Sequence, residues 1–397
     1  MSRHAALGSA LVGVLLLASP GNAAVGATSG TQATRSADAQ RLLVDRQGHP
    51  VDGRGVTIAV IDTGIDPTHP AFALPGGGTK VVRSLTAVSC VPGQALSENL
   101  GCVTDLPTTV SSDLGHGGHG TFVGSVAVGD SYHLADGTRV GGQAPGARLV
   151  VISTTTALQG LYDAFGWVLA NHRHPCGASV PVATCPPIRV LSLSWGANDP
   201  VLTGLQHQLV AEGVVVAWAS GNGGGDGSTD ASNAIASTDA TPGVIDVAGY
   251  DDRGTGTRDG HDDPASSRGQ ASRPSTWPDV SAPSVSVVGA CRAYQAVCVA
   301  VGHDPKNGPG ATDLATYFTG SGTSWATPAV AGIAALLFQL RPDATPGQVE
   351  DVLKRTAHRY RSGAPYRRAG RYLSSFDKGA GLVDAWAAAV SFGARVR

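Results

Sequence analysis

Three well-separated residues of this sequence sit in settings where their side chains can do chemistry: Asp62, His119 and Ser324. Asp62 ends the apolar run Val60-Ile61 and precedes Thr63-Gly64, where the glycine permits a sharp departure of the backbone. A buried aspartate can fix the tautomer of a histidine and stabilise its imidazolium, but a strand-terminal aspartate also serves as a helix cap or turn former. His119 lies within Gly115-His116-Gly117-Gly118-His119-Gly120-Thr121, ahead of a small-residue run that can begin a helix. An ordinary pKa near ~6.5 suits it to general base work. His116 and His119 together invite a metal reading, which is weakened because no acidic third ligand follows on the same face. Ser324 stands in Gly320-Ser321-Gly322-Thr323-Ser324-Trp325-Ala326-Thr327-Pro328, before the apolar stretch from Ala329 to Leu337. A serine at a helix N-terminus is commonly a cap; here the helix dipole would also stabilise negative charge developing beside it.

These residues need a scaffold, and the sequence indicates which. The runs Val56 to Ile61, Leu149 to Ile152, Val190 to Ser194, Val214 to Ala219 and Val244 to Val247 are short, rich in β-branched residues and nearly continuous in apolar character. Strands of that kind are covered on both faces, which predicts a mostly parallel sheet between helices, an α/β fold in three layers. Helical periodicity falls at Leu161 to His172, Leu202 to Ala211, Ala326 to Gln339 and Gln348 to Arg355. In such sheets ligands bind beyond the carboxyl ends of the strands, where both Asp62 and Asn222 fall. The stretches Cys90 to Asp113, Cys176 to Pro187 and Gly249 to Pro278 read as long surface loops.

With 397 residues, 42% hydrophobic and 15% charged, the chain can bury one large core. A net charge of −2 from 28 basic and 30 acidic side chains gives no footprint for nucleic acid. Arg3 and His4 before the apolar run from Leu7 to Ala18 read as an export signal, with cleavage expected after Ala23 or, alternatively, Ala27. The run is shorter than the roughly 20 residues a bilayer span needs, so no stable membrane anchor is expected in the mature chain. The small, polar stretch 24–52 reads as a short flexible leader and 391–397 as a C-terminal tail. Six cysteines in an exported chain fall in three close pairs, Cys90 with Cys102, Cys176 with Cys185 and Cys291 with Cys298. Pairing between neighbours is the expectation, although sequence leaves other connectivities open.

Asp62, His119 and Ser324, in that order and with those flanks, resemble the subtilisin family of serine peptidases. Other stretches carry the likeness further. Ser192-Leu193-Ser194-Trp195-Gly196 resembles the family's edge strand that pairs with substrate backbone. Ala219-Ser220-Gly221-Asn222 resembles the segment that walls the primary pocket and ends in an oxyanion-binding asparagine. Ser266-Ser267-Arg268-Gly269, the stretch from Pro278 to Pro283 and that from Gly379 to Ala385 match further landmarks, so the likeness covers roughly residues 53 to 390, taken as the peptidase domain. The chain departs from the family at Phe122, Trp325 and Ala329, which bears on pocket shape and helix packing rather than on the reacting groups. Its leader is also shorter than the folded inhibitory prodomain many relatives carry.

The resemblance implies a secreted, monomeric endopeptidase acting on proteins or peptides, with Asp62, His119 and Ser324 as triad and Asn222 at the oxyanion. Ser194, Trp195, Gly196, Ala219, Ser220 and Gly221 would bind substrate. It implies no required cofactor and no metal among the reacting groups; structural calcium is common among relatives, but these loops yield no oxygen-ligand set. Two rivals remain. An esterase of the α/β-hydrolase kind would place its nucleophile first and show Gly-x-Ser-x-Gly, where this chain has Ala326 in the final position. A catalytically inactive relative serving as a binding module would keep the fold without turnover.

Overall fold

Six fully buried residues, Thr57–Asp62, form the strand on which the architecture turns (β2). The computed structural model describes residues 28, 30–88, 102–113, 115, 117–133, 137, 139–155, 157–232, 234–299 and 316–397. Beside β2 lie Arg148–Ser153 (β5) and Ile188–Leu193 (β6), both parallel to it. Val81–Thr86 (β3) continues the sheet beyond β5, and Thr104–Leu106 (β4) closes that edge antiparallel. On the other side Val215–Ala219 (β7) and Val244–Asp251 (β8) follow in parallel. His261–Asp262 (β9) and Val280–Pro283 (β10) both pair with β8, the first antiparallel and the second parallel. The result is a nine-stranded, mostly parallel sheet. All five apolar runs read from the sequence are strands in it. The longest strand not read there, β3, has its apolar pattern broken by Arg83 and Ser84.

Helices cover both faces, giving the three-layer α/β arrangement. One face carries His119–Val128 (α2), Thr323–Leu340 (α5), Pro346–Thr356 (α6) and Ala385–Ser391 (α7), packed on Ile58, Val60, Leu149, Val151 and Val190. The other carries Leu158–Asn171 (α3) and Pro200–Ala211 (α4), packed on Ala59, Ile61, Val150, Ile152 and Val216. The alternation along each strand divides its side chains between the two layers. Helix α5 has a mean hydropathy of 1.3, and 89% of it is buried, as befits a core helix.

The N-terminal stretch differs from the expected flexible leader. Ser36–Leu42 (α1) and Leu43–Val44 (β1) are ordered parts of the fold. Ala33, Ala39, Leu43 and Val51 are fully buried. Arg35 makes an ion pair with Asp384 at 2.6 Å, which Arg258 also joins. The segment lacks a strong period of its own; tertiary contacts order it, which a local reading does not capture. The tail is likewise built in: Arg395–Val396 pairs antiparallel with β1. The stretch expected to be an export signal, residues 1–23, lies outside the described residues.

Disulfides join Cys176 to Cys185 and Cys291 to Cys298, neighbour to neighbour. Cys102 is also disulfide-bonded, while its expected partner Cys90 lies outside the described residues.

Candidate active site

Asp62 is the last residue of β2 and has no exposure; His119 opens α2 with its side chain 17% exposed. His119 Nδ1 is 2.7 Å from Asp62 Oδ1, which also accepts from the Thr63 backbone N–H at 2.7 Å. A carboxylate accepting from Nδ1–H leaves Nε2 as the free base, the tautomer needed for proton abstraction. Burial by itself would lower the His119 pKa; the charge and hydrogen bond of Asp62, with a contribution from Asp113, lift it above the ordinary histidine value.

Two glycines allow this close approach. A methyl group at Gly120 would overlap the Gly64 carbonyl oxygen, and Gly64 itself has φ of 121° against the Ser112 backbone. The Gly120-Thr121 pair that follows His119 thus has a reason in each member. Thr121 Oγ1 accepts from the Asp66 N–H at 2.9 Å and donates to Asp113 at 2.8 Å.

Asp113 is the residue that sequence reasoning missed. It is 7% exposed and accepts from the Thr63 hydroxyl, the Gly118 N–H, Thr121 and Gln295. It therefore ties the loop after Asp62 to the start of the His119 helix. Burial pushes its carboxyl up, and the Asp62 charge adds to that, against the hydrogen bonds it accepts. In the sequence it is only an acidic residue closing a polar stretch read as a surface loop.

Ser324 lies in the first turn of α5, which begins three residues earlier than the periodicity predicts; Pro328 lies inside the helix. Proline has no N–H to return to the Ser324 carbonyl. The Ser194 hydroxyl replaces it, donating to Ser324 O at 2.8 Å. Thr327 Oγ1 similarly donates to Thr323 O at 3.0 Å. Asn222, exposed beside this turn, accepts at Oδ1 from the Thr323 N–H at 2.9 Å and hydroxyl at 3.0 Å. Pinning the oxygen this way leaves the Asn222 amide nitrogen as a donor beside Ser324. Among the described residues no hydrogen bond joins His119 to the Ser324 hydroxyl; the link between them is Trp325, whose ring centroid lies 4.9 Å from that of the imidazole.

The remaining expected residues divide. Ser194, Trp195 and Gly196 are half-buried at the end of β6, and the Trp195 indole donates to Ile61 O at 2.6 Å, locking this segment to the strand bearing Asp62. Ala219, Ser220 and Gly221 are buried; the Ser220 hydroxyl turns inward to Asp246 at 2.6 Å and is not offered to a ligand. Burial raises the Asp246 pKa to about 8. Trp218 belongs to the core, stacked on Phe165. Among the described residues no three His, Cys, Asp or Glu side chains converge as a metal-ligand set.

Comparison with known proteins bears on the family and fold of the chain. The profile of the subtilase family matches residues 53–381. Serine protease AprX of Bacillus subtilis is 29% identical over 351 residues, covering 84% of this chain and 67% of that protein. Subtilisin of Bacillus pumilus is 27% identical over 340 residues, 85% of this chain and 92% of that protein. The crystal structure of fervidolysin from Fervidobacterium pennivorans, a keratinolytic enzyme related to subtilisin, is similar with a TM-score of 0.59 at 25% identity, over 85% of this chain and 43% of that one. The chain belongs to the subtilase family of serine-type endopeptidases.

Proposed function

We propose that this chain is a secreted endopeptidase that cleaves proteins or peptides through an Asp62–His119–Ser324 triad. The observation that carries the reading is the 2.7 Å contact of His119 Nδ1 with the fully buried Asp62, in a molecule whose Ser324 helix packs beside that ring. Ser324 Oγ attacks the peptide carbonyl while His119 Nε2 takes its proton, and Asp62 stabilises the resulting imidazolium. The Asn222 amide and the Ser324 backbone N–H receive the oxyanion. His119 then returns the proton to the leaving amine, and water resolves the acyl-enzyme. Because His119 must be neutral to act and its pKa is raised, the rate should climb with pH through a titration above the ordinary ~6.5. The N-terminal signal pattern and the paired cysteines support export.

The test is a peptide-hydrolysis assay with a sulfonyl fluoride, run on the enzyme and on Ser324→Ala. Labelling of Ser324 with loss of activity is expected, and Ser324→Ala should lower turnover by about 10⁶, the size attached to the related subtilisin triad. Label on another residue, or an active Ser324→Ala protein, would overturn the assignment; absence of both labelling and turnover would favour an inactive binding module.

A further inference from the structure

Trp325 follows Ser324 and is 1% exposed, so it does not line an open groove. Its indole N–H has no hydrogen-bond partner among the described residues. Leaving a buried donor unpaired is unfavourable, so the polar end of the side chain does not explain an indole at this position. The ring faces do. Trp325 lies 4.9 Å from the His119 imidazole and 3.8 Å from Phe122, tilted by 38° and 31°. Phe122 in turn meets Phe318 edge-on at 6.0 Å. Space for this stack is made by two glycines: a methyl at Gly289 would overlap the Phe122 ring, and one at Gly320 would lie 2.9 Å from Trp325 Nε1.

We propose that Trp325, backed by Phe122, is a positioning residue that holds the His119 ring and favours its imidazolium form during proton transfer. The proposal rests on the triad reading above. A cation within about 6 Å of an indole centroid is attracted by the ring's quadrupole, and His119 acquires its charge as Ser324 attacks. The carboxylates acting on His119 are Asp62 from the central strand and Asp113 from the loop before α2. Trp325 carries no charge and binds no proton, so its contribution adds to theirs. Leucine at 325 would keep the site dry while removing the aromatic face; phenylalanine would keep a face.

The experiment compares Trp325→Leu, Trp325→Phe and Phe122→Leu with the full-length enzyme, after a thermal melt to verify folding. NMR titration of His119, identified through His119→Gln, should move down by about half a pH unit in Trp325→Leu. Turnover should fall about two- to fivefold with KM unchanged. Trp325→Phe should restore most of both, and Phe122→Leu should shift both in the same direction by less. If Trp325→Leu does not fold, Phe122→Leu carries the comparison. An unmoved His119 titration, equal losses in the leucine and phenylalanine variants at 325, or an effect confined to KM would overturn the proposal. The titration needs no turnover, so an active Ser324→Ala protein would sink the triad reading while leaving the ring contact to be judged on its own.

Discussion

The two faces of the central sheet differ in whether the candidate site residues come from them. On the face of α2 and α5, glycines let neighbours come close around the packed rings of Phe122 and Trp325: a methyl at Gly124 would press on the Ile65 side chain, and one at Gly332 would lie 2.9 Å from the Ala127 carbonyl oxygen. On the face of α3 and α4, Phe165 is fully buried and stacked at 6.1 Å on Trp218, away from Asp62, His119 and Ser324. His119 and Ser324 both come from the first face. The proposed reacting groups sit on two helices and must be held within fractions of an ångström, and close contact leaves little room for drift. The second face contributes burial, which stabilises the scaffold without aiming any reacting group.

Three substitutions can break that comparison. Phe165→Ala should open a cavity and cost about 3–5 kcal/mol in urea unfolding, with turnover per folded molecule unchanged. A lowered turnover at active-site-titrated concentration would show that the faces are not separable. Gly120→Ala should have a smaller effect on stability, about 1–3 kcal/mol from overpacking, yet reduce turnover by roughly 10²-fold by displacing His119 from Asp62. Full activity there would mean the close approach is not required. Gly204, exposed within α4 with no atom near its added methyl, gives the smallest effect. Gly204→Ala should stabilise by up to about 1 kcal/mol, read as a raised melting temperature, and leave the rate alone. A destabilised variant would place a constraint on the second face that its packing does not reveal.

How far the sequence could be read follows the same division. Helix α4 has one buried side, so Leu202, Leu205 and Leu209 carry a visible helical period. Helix α2 is buried at every position from Gly120 to Val128, and a helix covered all round has no polar face to mark its period. Asp113 went unseen for a related reason: its worth lies in partners distant in sequence, Thr63 and Gln295.

The sequence by itself marked five strands of the sheet, through continuous β-branched runs that a doubly covered strand tolerates, and singled out Asp62, His119, Ser324 and Asn222 as candidates, through residue types, flanking glycines and their order along the chain. Tertiary structure alone decided the rest. The pairing of Trp325 with His119, the replacement of the missing Pro328 N–H by the Ser194 hydroxyl, and the anchoring of the N-terminal segment by Asp384 all join residues far apart in the chain. Such contacts leave no local periodicity, because their energy depends on where the fold brings each partner and not on its neighbours in sequence.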